Sequence, residues 1–451
     1  MGAHTVSITD GVSTTQLNDT TATLLLSYPM ASPVVDQSVI AGAQDGANLS
    51  TPTWGNVEET LTVLVIGATT NAVRATINSI EAILDRARQN RLTWGNARCF
   101  LQVQIDAEAS TWRSEILAGR VTPNEPLDGT WKKKIEITIQ ITRRYFWEGP
   151  RTAVPMNSAA TPVETTDPVT WHNGGDGVAG ERNYVAIAGS RVTGVLPAPL
   201  ELTLVFAGTS SNVRDIYIGN HVWMDPWNLD PILLGSEAAE GAAETWATDG
   251  AHTTHTWTLS NAQVQDFNGQ YVRPLVAFSD EPDQNTRVQG SVLINLAALD
   301  LQAYLADAVR AGGRSVLDVG AFPIPLRGYT ASNNAGVKFR LSMQKTGGDT
   351  LTVHSLHLMP SGDGLFRRLR AVDAGLILTT GYGIVDDGIE DLVYLFDAGL
   401  MTYPTWKAYG PPVCLWPGRS QVIRILVSAN PWAASVAWTA QIFYRPRRIT
   451  L

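Results

Sequence analysis

The stretch from Glu58 to Asp106 limits this chain most: it reads strand, helix, strand, and it holds the one strongly amphipathic helix of the N-terminal third. Leu61, Val63 and Val65 alternate with Thr62, Leu64 and Ile66, so both faces of the first strand carry apolar groups, as in a strand covered on two sides. After Gly67, Thr69 and Thr70 offer a hydroxyl cap. Val73, Ile77, Ile80, Leu84 and Ala87 then recur at the three- and four-residue spacing of one helical face. Cys99, Leu101, Val103 and Ile105 fall on one side of the returning strand. A single helix packed on a β-sheet follows.

Ahead of this block, short strands are expected over His4–Thr9 and Ala22–Tyr28, with turns at Asp10-Gly11 and Asn18-Asp19. Ala41 to Trp54, rich in Gly, Asn, Ser, Thr and Pro, reads as an irregular excursion. Beyond the block come strands over Trp112–Val121 and Trp131–Trp147. In the second, Ile135, Ile137, Ile139 and Ile141 alternate with Glu136, Thr138, Gln140 and Thr142, giving one core face and one polar face. This α+β unit closes near Gly149-Pro150.

Residues 151–182 read as a linker, with Pro155, Pro162, Pro168 and the run His172-Asn173-Gly174-Gly175-Asp176-Gly177. Strands resume over Tyr184–Ala188, Leu200–Phe206 and Asp215–Ile218. From Asn220 to Gly364 the character shifts: Trp223, Trp227, Trp246 and Trp257 lie close together, and an acidic, Ala-rich loop spans Glu237 to Glu244. Leu296, Leu299, Ala303 and Ala306 are spaced for a second helix over Asn295–Ala311, with Gly312-Gly313 as its stop. Further strands are expected over Val337–Met343, Leu351–Leu358, Gly375–Tyr382, Leu392–Phe396, Val413–Trp416, Val422–Ser428 and Ala437–Tyr444. The fold class is mainly β.

The 451 residues are enough to bury ordinary cores without disulfides. Cys99 and Cys414 each sit in an apolar run and read as buried free thiols. A net charge of −9 with 17% charged residues argues against a nucleic-acid-coating or polybasic membrane-surface protein. No apolar run approaches the ~20 residues of a membrane-spanning helix, and Met1-Gly2-Ala3-His4 lacks the features of a secretory signal.

No Gly-x-Ser-x-Gly elbow, phosphate-binding Gly-rich loop, His-Glu-x-x-His or paired Cys-x-x-Cys occurs, so the sequence assigns no catalytic residue, no cofactor and no metal. His252 with His255, and His354 with His357, are spaced so that a strand points the rings to opposite faces. Asp386, Asp387, Glu390 and Asp391 could donate oxygens to calcium, yet they lack the alternating spacing of a calcium loop, and a plain turn is the simpler reading. Trp223, Trp227, Trp246 and Trp257 could stack on sugar rings, yet the simpler reading is that they anchor a sandwich core. Lys132-Lys133-Lys134, Arg143-Arg144, Arg367-Arg368 with Arg370, and Arg445 with Arg447-Arg448 could bind phosphate. In a net acidic chain they fit better with carboxylates of a neighbour or a second subunit.

The N-terminal block ending Ile139-Gln140-Ile141-Thr142-Arg143-Arg144-Tyr145-Phe146-Trp147-Glu148-Gly149-Pro150 resembles the distal tail and tail-component proteins of long-tailed, siphovirus-like bacteriophages. Leu415-Trp416-Pro417-Gly418, a strand, and then Ile442-Phe443-Tyr444-Arg445-Pro446-Arg447-Arg448 resemble the close of their galectin-like β-sandwich. The resemblance covers residues 57–150, 183–219 and 375–451. It implies a tail-tube-like, ring-forming β-sandwich with one packed helix over 1–150, a linker over 151–182, and a discontinuous galectin-like sandwich from 183–219 and 366–451. The segment 220–365 would be inserted in it as a jelly-roll, carbohydrate-binding-like module, since Val353 to Pro360 resembles the last strand of such modules. The implied role is that of a structural, non-enzymatic virion protein, assembled in the host cytoplasm. It would form a homo-oligomeric ring of six at the distal end of the tail tube, with the tube protein and the tail tip, hub or baseplate as partners and host-surface glycans as a further one. The alternative is a host-surface carbohydrate-binding tail fibre or adhesin, and a third class is a tail-borne cell-wall hydrolase.

Overall fold

The computed structural model describes residues 4–451 except 37–38, 42–46, 50–52, 94–97, 106–107, 125–132, 159–163, 174–183, 207–209, 223–243, 248–252, 260–263, 265–269, 279–285, 297–298, 308, 311–314, 325–335, 345–349, 372–375, 379–380, 398–399, 403–405 and 429–435. The chain forms two compact units. One is Met1–Arg151 with Gly194–Leu196 and Arg445–Leu451; the other is Thr152–Thr193 with Pro197–Tyr444.

The first unit is built on one twisted sheet. Its strands are β1 (Thr5–Thr9), β2 (Thr14–Gln16), β3 (Thr23–Ser27), β4 (Val57–Ile66), β5 (Phe100–Gln104), β6 (Thr111–Pro123), β7 (Lys134–Arg143) and β8 (Trp147–Glu148), with helix α1 over Thr70–Thr93. They run β2-β1-β5-β6-β7-β4-β3, and β8 pairs with β6 and with Arg447–Arg448. The isoleucine alternation of β7 holds: Ile135, Ile137, Ile139 and Ile141 are buried while the residues between them are not. Val73, Ile77, Ile80, Leu84 and Ala87 are buried with Leu61, Val63 and Val65 in one core. The Thr69 hydroxyl accepts the Ala72 amide at 3.2 Å and caps the helix. Gly119, opposite Ile141, lies where the helix comes closest: a Cβ there would stand 2.8 Å from Leu84 Cδ2.

Two expectations change here. β4 is covered on one side, because Thr62, Leu64 and Ile66 on its second face are half-buried and Thr60 is exposed. The excursion of 41–54 is less irregular than its composition suggests: Val35–Asp36 pairs with Thr53–Trp54, and Val39–Ala41 with Ala47–Leu49, so the segment doubles back as a two-stranded ribbon. Residues 42–46 and 50–52 lie outside the described residues.

In the second unit two sheets share a core. The named strands are β9 (Val169–His172), β10 (Tyr184–Ile187), β11 (Ala198–Phe206), β12 (Asp215–Val222), β13 (Glu244–Ala247), β14 (Thr253–Thr258), β15 (Tyr271–Phe278), β16 (Arg287–Leu296), β17 (Leu299–Leu305), β18 (Val316–Asp318), β19 (Val337–Gln344), β20 (Thr350–Pro360), β21 (Phe366–Ala371), β22 (Tyr382–Asp387), β23 (Leu392–Asp397), β24 (Gln421–Ser428) and β25 (Ala437–Tyr444). One sandwich sheet contains β25-β11-β22-β23, the other β10-β24-β12-β21. Their shared core joins Leu200, Leu202 and Leu204 to Ile216, Ile218, Ile423, Ile425 and Trp438. The passage read as a linker contributes strands to both sheets. β9 pairs with β25, and Trp171 is fully buried.

Residues 244–360 build a second sandwich with its own core, from the sheets β13-β20-β15-β18 and β14-β19-β16-β17. The helix expected over Asn295–Ala311 is absent: β16 and β17 form a hairpin in which Leu296 pairs with Leu299 and Ile294 with Leu301. The leucine and alanine spacing fits a helical face in isolation, but β16 also pairs along β19, and that long-range ladder outweighs local preference. Tyr217 and Leu426, on the outer face of a sandwich sheet, pack with Leu275, Ala277, Val316 and Met359 of the module. β12 and β24 are therefore buried at every position, the pattern of strands covered on two sides.

Candidate functional site

The feature of the first unit most suited to a function is the sheet face away from α1. β4, β6 and β7 present Glu58, Thr60, Arg120, Glu136, Thr138, Gln140 and Thr142 there, because every second residue of a strand points the same way. These side chains bond to one another. Arg120 Nε donates to Gln140 Oε1 at 2.6 Å, Asn124 Nδ2 to Glu136 Oε1 at 2.7 Å, and Thr138 Oγ1 to Asn124 Oδ1 at 2.7 Å. An open depression of about 380 Å³ lies across the three strands, lined by Glu58, Thr60, Ala118, Arg120, Gln140 and Thr142 among others. Such a face is wet, self-satisfied and of mixed charge; it offers water a surface without offering a ligand a dry pocket.

A buried network underlies one end of this sheet. Arg143 Nε and Nη2 donate to Glu59 Oε1 at 2.9 and 2.6 Å, Nη1 to the Arg144 carbonyl at 2.8 Å, and Nη2 to the Ala31 carbonyl at 3.2 Å. Tyr28 donates to Glu59 Oε2 at 2.7 Å, and burial together with the Glu59 charge raises the phenol pKa, so it stays a donor. The sequence reading missed this network, since Glu59 and Arg143 stand far apart in the chain and neither has a neighbour that marks it.

The residues singled out from sequence are scattered. Trp223 and Trp227 lie outside the described residues, and Trp246 is on β13 opposite Leu351. Trp257 is 5% exposed and packs against Phe339 with ring centroids 6.0 Å apart, so its ring is a core anchor and has no free face for a sugar. His252 lies outside the described residues; His255 is on β14, and His354 and His357 are on β20, with His357 buried. Among the described residues no three His, Cys, Asp or Glu side chains gather in a way that could hold a metal ion, and no helix is long and apolar enough to cross a membrane. Neither cysteine is in a disulfide: Cys99 is buried and burial pushes its thiol up to about 11, while Cys414 is half-buried.

The basic pieces meet carboxylates of their own unit. Arg144 pairs with Glu115 at 2.7 Å, Arg368 with Asp215 at 2.7 Å, Arg447 with Glu148 at 2.8 Å and Arg448 with Glu108 at 2.9 Å. Lys132 lies outside the described residues.

The acidic run at 386–391 is split by the strand that carries it. Asp386 ends up in the core, facing Arg367 at 3.3 Å, and Arg367 also reaches exposed Asp391 at 2.9 Å. Asp387, on the other face, accepts the Ile389 and Glu390 amides at 3.0 Å each and shapes the turn, with Asp391 at a left-handed φ of 54°. A guanidinium thus occupies the place a cation would take beside Asp386. Burial pushes the Asp386 carboxyl up to about 7, against the opposing pull of Arg367. An acid with a raised folded value takes up a proton on folding, so its contribution is full below about pH 4 and lost as pH rises through about 7. The second unit is therefore expected to be less stable at about pH 8 than at about pH 5.5, by up to ~1.4 kcal/mol per pH unit within that window, and Asp386→Asn to flatten the dependence. Thermal scans of both proteins across the range measure it, and parallel slopes would contradict the assignment.

No family model and no curated protein matches the chain. Among solved structures it is similar to the SPP1 Dit (gp 19.1) protein, a paradigm of hub adsorption apparatus in Gram-positive infecting phages, at 10% identity over 99% of each chain with a TM-score of 0.33. It is similar to a chain of the phage P2 baseplate in its activated conformation with Ca at 7% identity over 100% of each chain, TM-score 0.33. For a chain of the phage p2 baseplate with Sr the values are 8% identity, 77% of this chain, 99% of that one and a TM-score of 0.26.

Proposed function

We propose that this chain is a structural component of a bacteriophage tail. Its N-terminal unit would form a closed ring, of six copies by resemblance, that joins the distal end of the tail tube to the tip or baseplate apparatus. The observation that carries the reading is the two-faced sheet of the first unit, with a helix-covered core on one side and a hydrogen-bonded polar face on the other. Such a sheet suits the wall of an aqueous channel. Its edge strand β3 supports a neighbouring copy: Leu24 and Leu26 are exposed there, and Met30, Val34 and Val35 follow. An unpaired apolar edge is a hazard that a head-to-tail contact removes, and a head-to-tail contact closes into a ring when its rotation divides a full turn. The ribbon of Val35–Trp54, paired only with itself among the described strands, is the arm suited to reach that neighbour.

In this reading the sandwich is discontinuous, with the module of 220–365 inserted between its halves. That is supported by the two separate cores and by the strands that close the sandwich after the module. The protein works by assembly and not by catalysis, its partners are the tube protein and the tip or hub proteins, and it resides in the virion after assembly in the host cytoplasm. The net charge of −9 fits a lumen along which DNA slides without sticking. Cryo-electron microscopy of the particle, with mass photometry of the purified chain, is the test. A closed ring is expected; a chain that stays monomeric within the particle, or a trimeric fibre, overturns the proposal in favour of the adhesin.

A further inference from the structure

At the hairpin that joins β22 to β23, two carboxylates contend for one cation. Arg367 enters the sandwich core from β21, and its Nη2 stands 3.3 Å from Asp386 Oδ1 and 2.9 Å from Asp391 Oδ1. The surroundings of the two acids differ. The side chains of Arg367 and Asp386 are 0% and 1% exposed, whereas that of Asp391 is 68% exposed. The ladder neighbours of Asp386 are Leu202 on β11 and Val393 on β23, and Ile218 on β12 stands opposite Arg367. Asn220, the next inward position of β12, donates its amide to the Cys414 carbonyl and to Gln421 Oε1. None of these carries charge, and the charged groups that act on Asp386 are Arg367, Asp391 and Asp387. Neither Asp386 oxygen has a hydrogen-bond partner among the described residues. An ionised carboxyl left that way costs far more than a neutral one, so this is the geometry of the protonated acid, with Arg367 nearer to Asp391.

We propose that this hairpin is a proton-controlled latch: Arg367 holds Asp391, and with it the turn, while Asp386 is protonated, and turns to Asp386 when that proton leaves for solvent. Burial decides the contest. An ionised Asp386 has no water to replace the guanidinium, whereas Asp391 loses little by returning to solvent, because exposed pairs contribute little. Asp391 has a left-handed φ of 54°, a conformation that costs a residue with a Cβ some strain, and its contact with Arg367 helps to hold it there. Asp387 accepts the Ile389 and Glu390 amides whichever partner Arg367 has, so the loosening falls on residues 390–392. Burial raises the Asp386 carboxyl to about 7, which puts the change near neutral pH. The inference goes beyond the ring reading and does not depend on it.

Hydrogen exchange of the full chain, read by mass spectrometry and corrected for the intrinsic pH dependence of exchange, tests the latch at about pH 5.5 and about pH 8. In the parent, protection of residues 388–392 is expected to be lost at the higher pH. Asp386→Asn, uncharged at both values, should keep that protection throughout. Asp391→Asn should leave residues 388–392 loosely protected at both values, while residues 423–427 in the same core keep whatever pH response the parent shows, since that response follows the charge on Asp386. Melting curves report that each variant is folded, and if Asp386→Asn does not fold, Asp391→Asn at its exposed position decides alone. Equal protection of residues 388–392 in the parent at both values, a loss in folded Asp386→Asn that matches the parent, or a parent-like response in Asp391→Asn would each overturn the latch. The readout is local to the hairpin, so ring assembly stands or falls separately.

Discussion

Arg143→Ala is expected to destabilise the N-terminal unit by about 3–5 kcal/mol, the cost of removing one partner from a fully buried ion pair. Both side chains of the Arg143–Glu59 pair are 0% exposed, and Arg143 also lies over the Trp147 ring at 4.4 Å. Without the guanidinium, Glu59 keeps Tyr28 as its side-chain partner among the described residues, and the carbonyls of Ala31 and Arg144 lose a donor each. The loss should appear as earlier hydrogen exchange in α1, β4 and β7, with the second unit unchanged. Replacing both charges, Glu59→Gln with Arg143→Met, should recover part of it, because the larger share of the cost is the stranded carboxylate. A single-variant effect below about 1 kcal/mol would show that water reaches the site.

The second large effect is expected on truncation after Tyr444. Residues 445–451 belong to the first unit, where Arg447 pairs with Glu148 and lies 4.0 Å over Phe146, and Arg448 pairs with Glu108 and lies 4.1 Å over Trp112. The Gly149 amide donates to the Pro446 carbonyl at 2.8 Å, and Leu451 packs on the core. The partly buried Arg447–Glu148 pair at about 1.5–3 kcal/mol, with the more exposed Arg448–Glu108 pair at about 0.2–1 kcal/mol, puts the loss at about 2–4 kcal/mol before relaxation. Glu148, left buried with Arg113 at 3.5 Å, bears most of it, so Glu148→Gln in the truncated chain should restore stability in part. Urea melts followed by exchange in β6 and β8 measure the change. Loss confined to the second unit would mean that the terminal strand serves the other core.

Much of this fold was legible because period and burial coincide where a strand or helix has one covered side. Ile135 to Ile141 and the stripe from Val73 to Ala87 announce their partners by spacing alone. The sandwich strands around Ile216 and Ile425 were legible as apolar runs, though not why both faces are apolar; the reason is the module seated on Tyr217 and Leu426. Spacing misled at Leu296 to Ala306, where four small or aliphatic residues fit a helix and a hairpin equally well until the neighbouring strand decides. The acidic residues at 386–391 read as one cluster, but a strand sends Asp386 and Asp387 to opposite sides. Composition misled within 151–182, where Pro and Thr disguise strands that pair into each of the two sheets, and within 41–54, where Gly and Asn disguise part of a ribbon. Glu59 with Arg143 was illegible, since nothing local distinguishes a charged residue that will be buried from one that will be solvated.

The return of the last residues to the first unit also has an entropic consequence. The first unit is interrupted at Arg151 and resumes at Arg445 apart from Gly194–Leu196, and closing a flexible loop of about 300 residues would cost about 5 kcal/mol of chain freedom. Within the second unit, Thr152 pairs directly with Tyr444, so once that unit has folded its two ends emerge side by side and the cost has already been met. Folding of the sandwich thus acts as a cross-link for its neighbour. A fragment that stops at Arg151 lacks the terminal strand, and supplying residues 445–451 as a separate peptide would have to replace that cross-link by concentration alone.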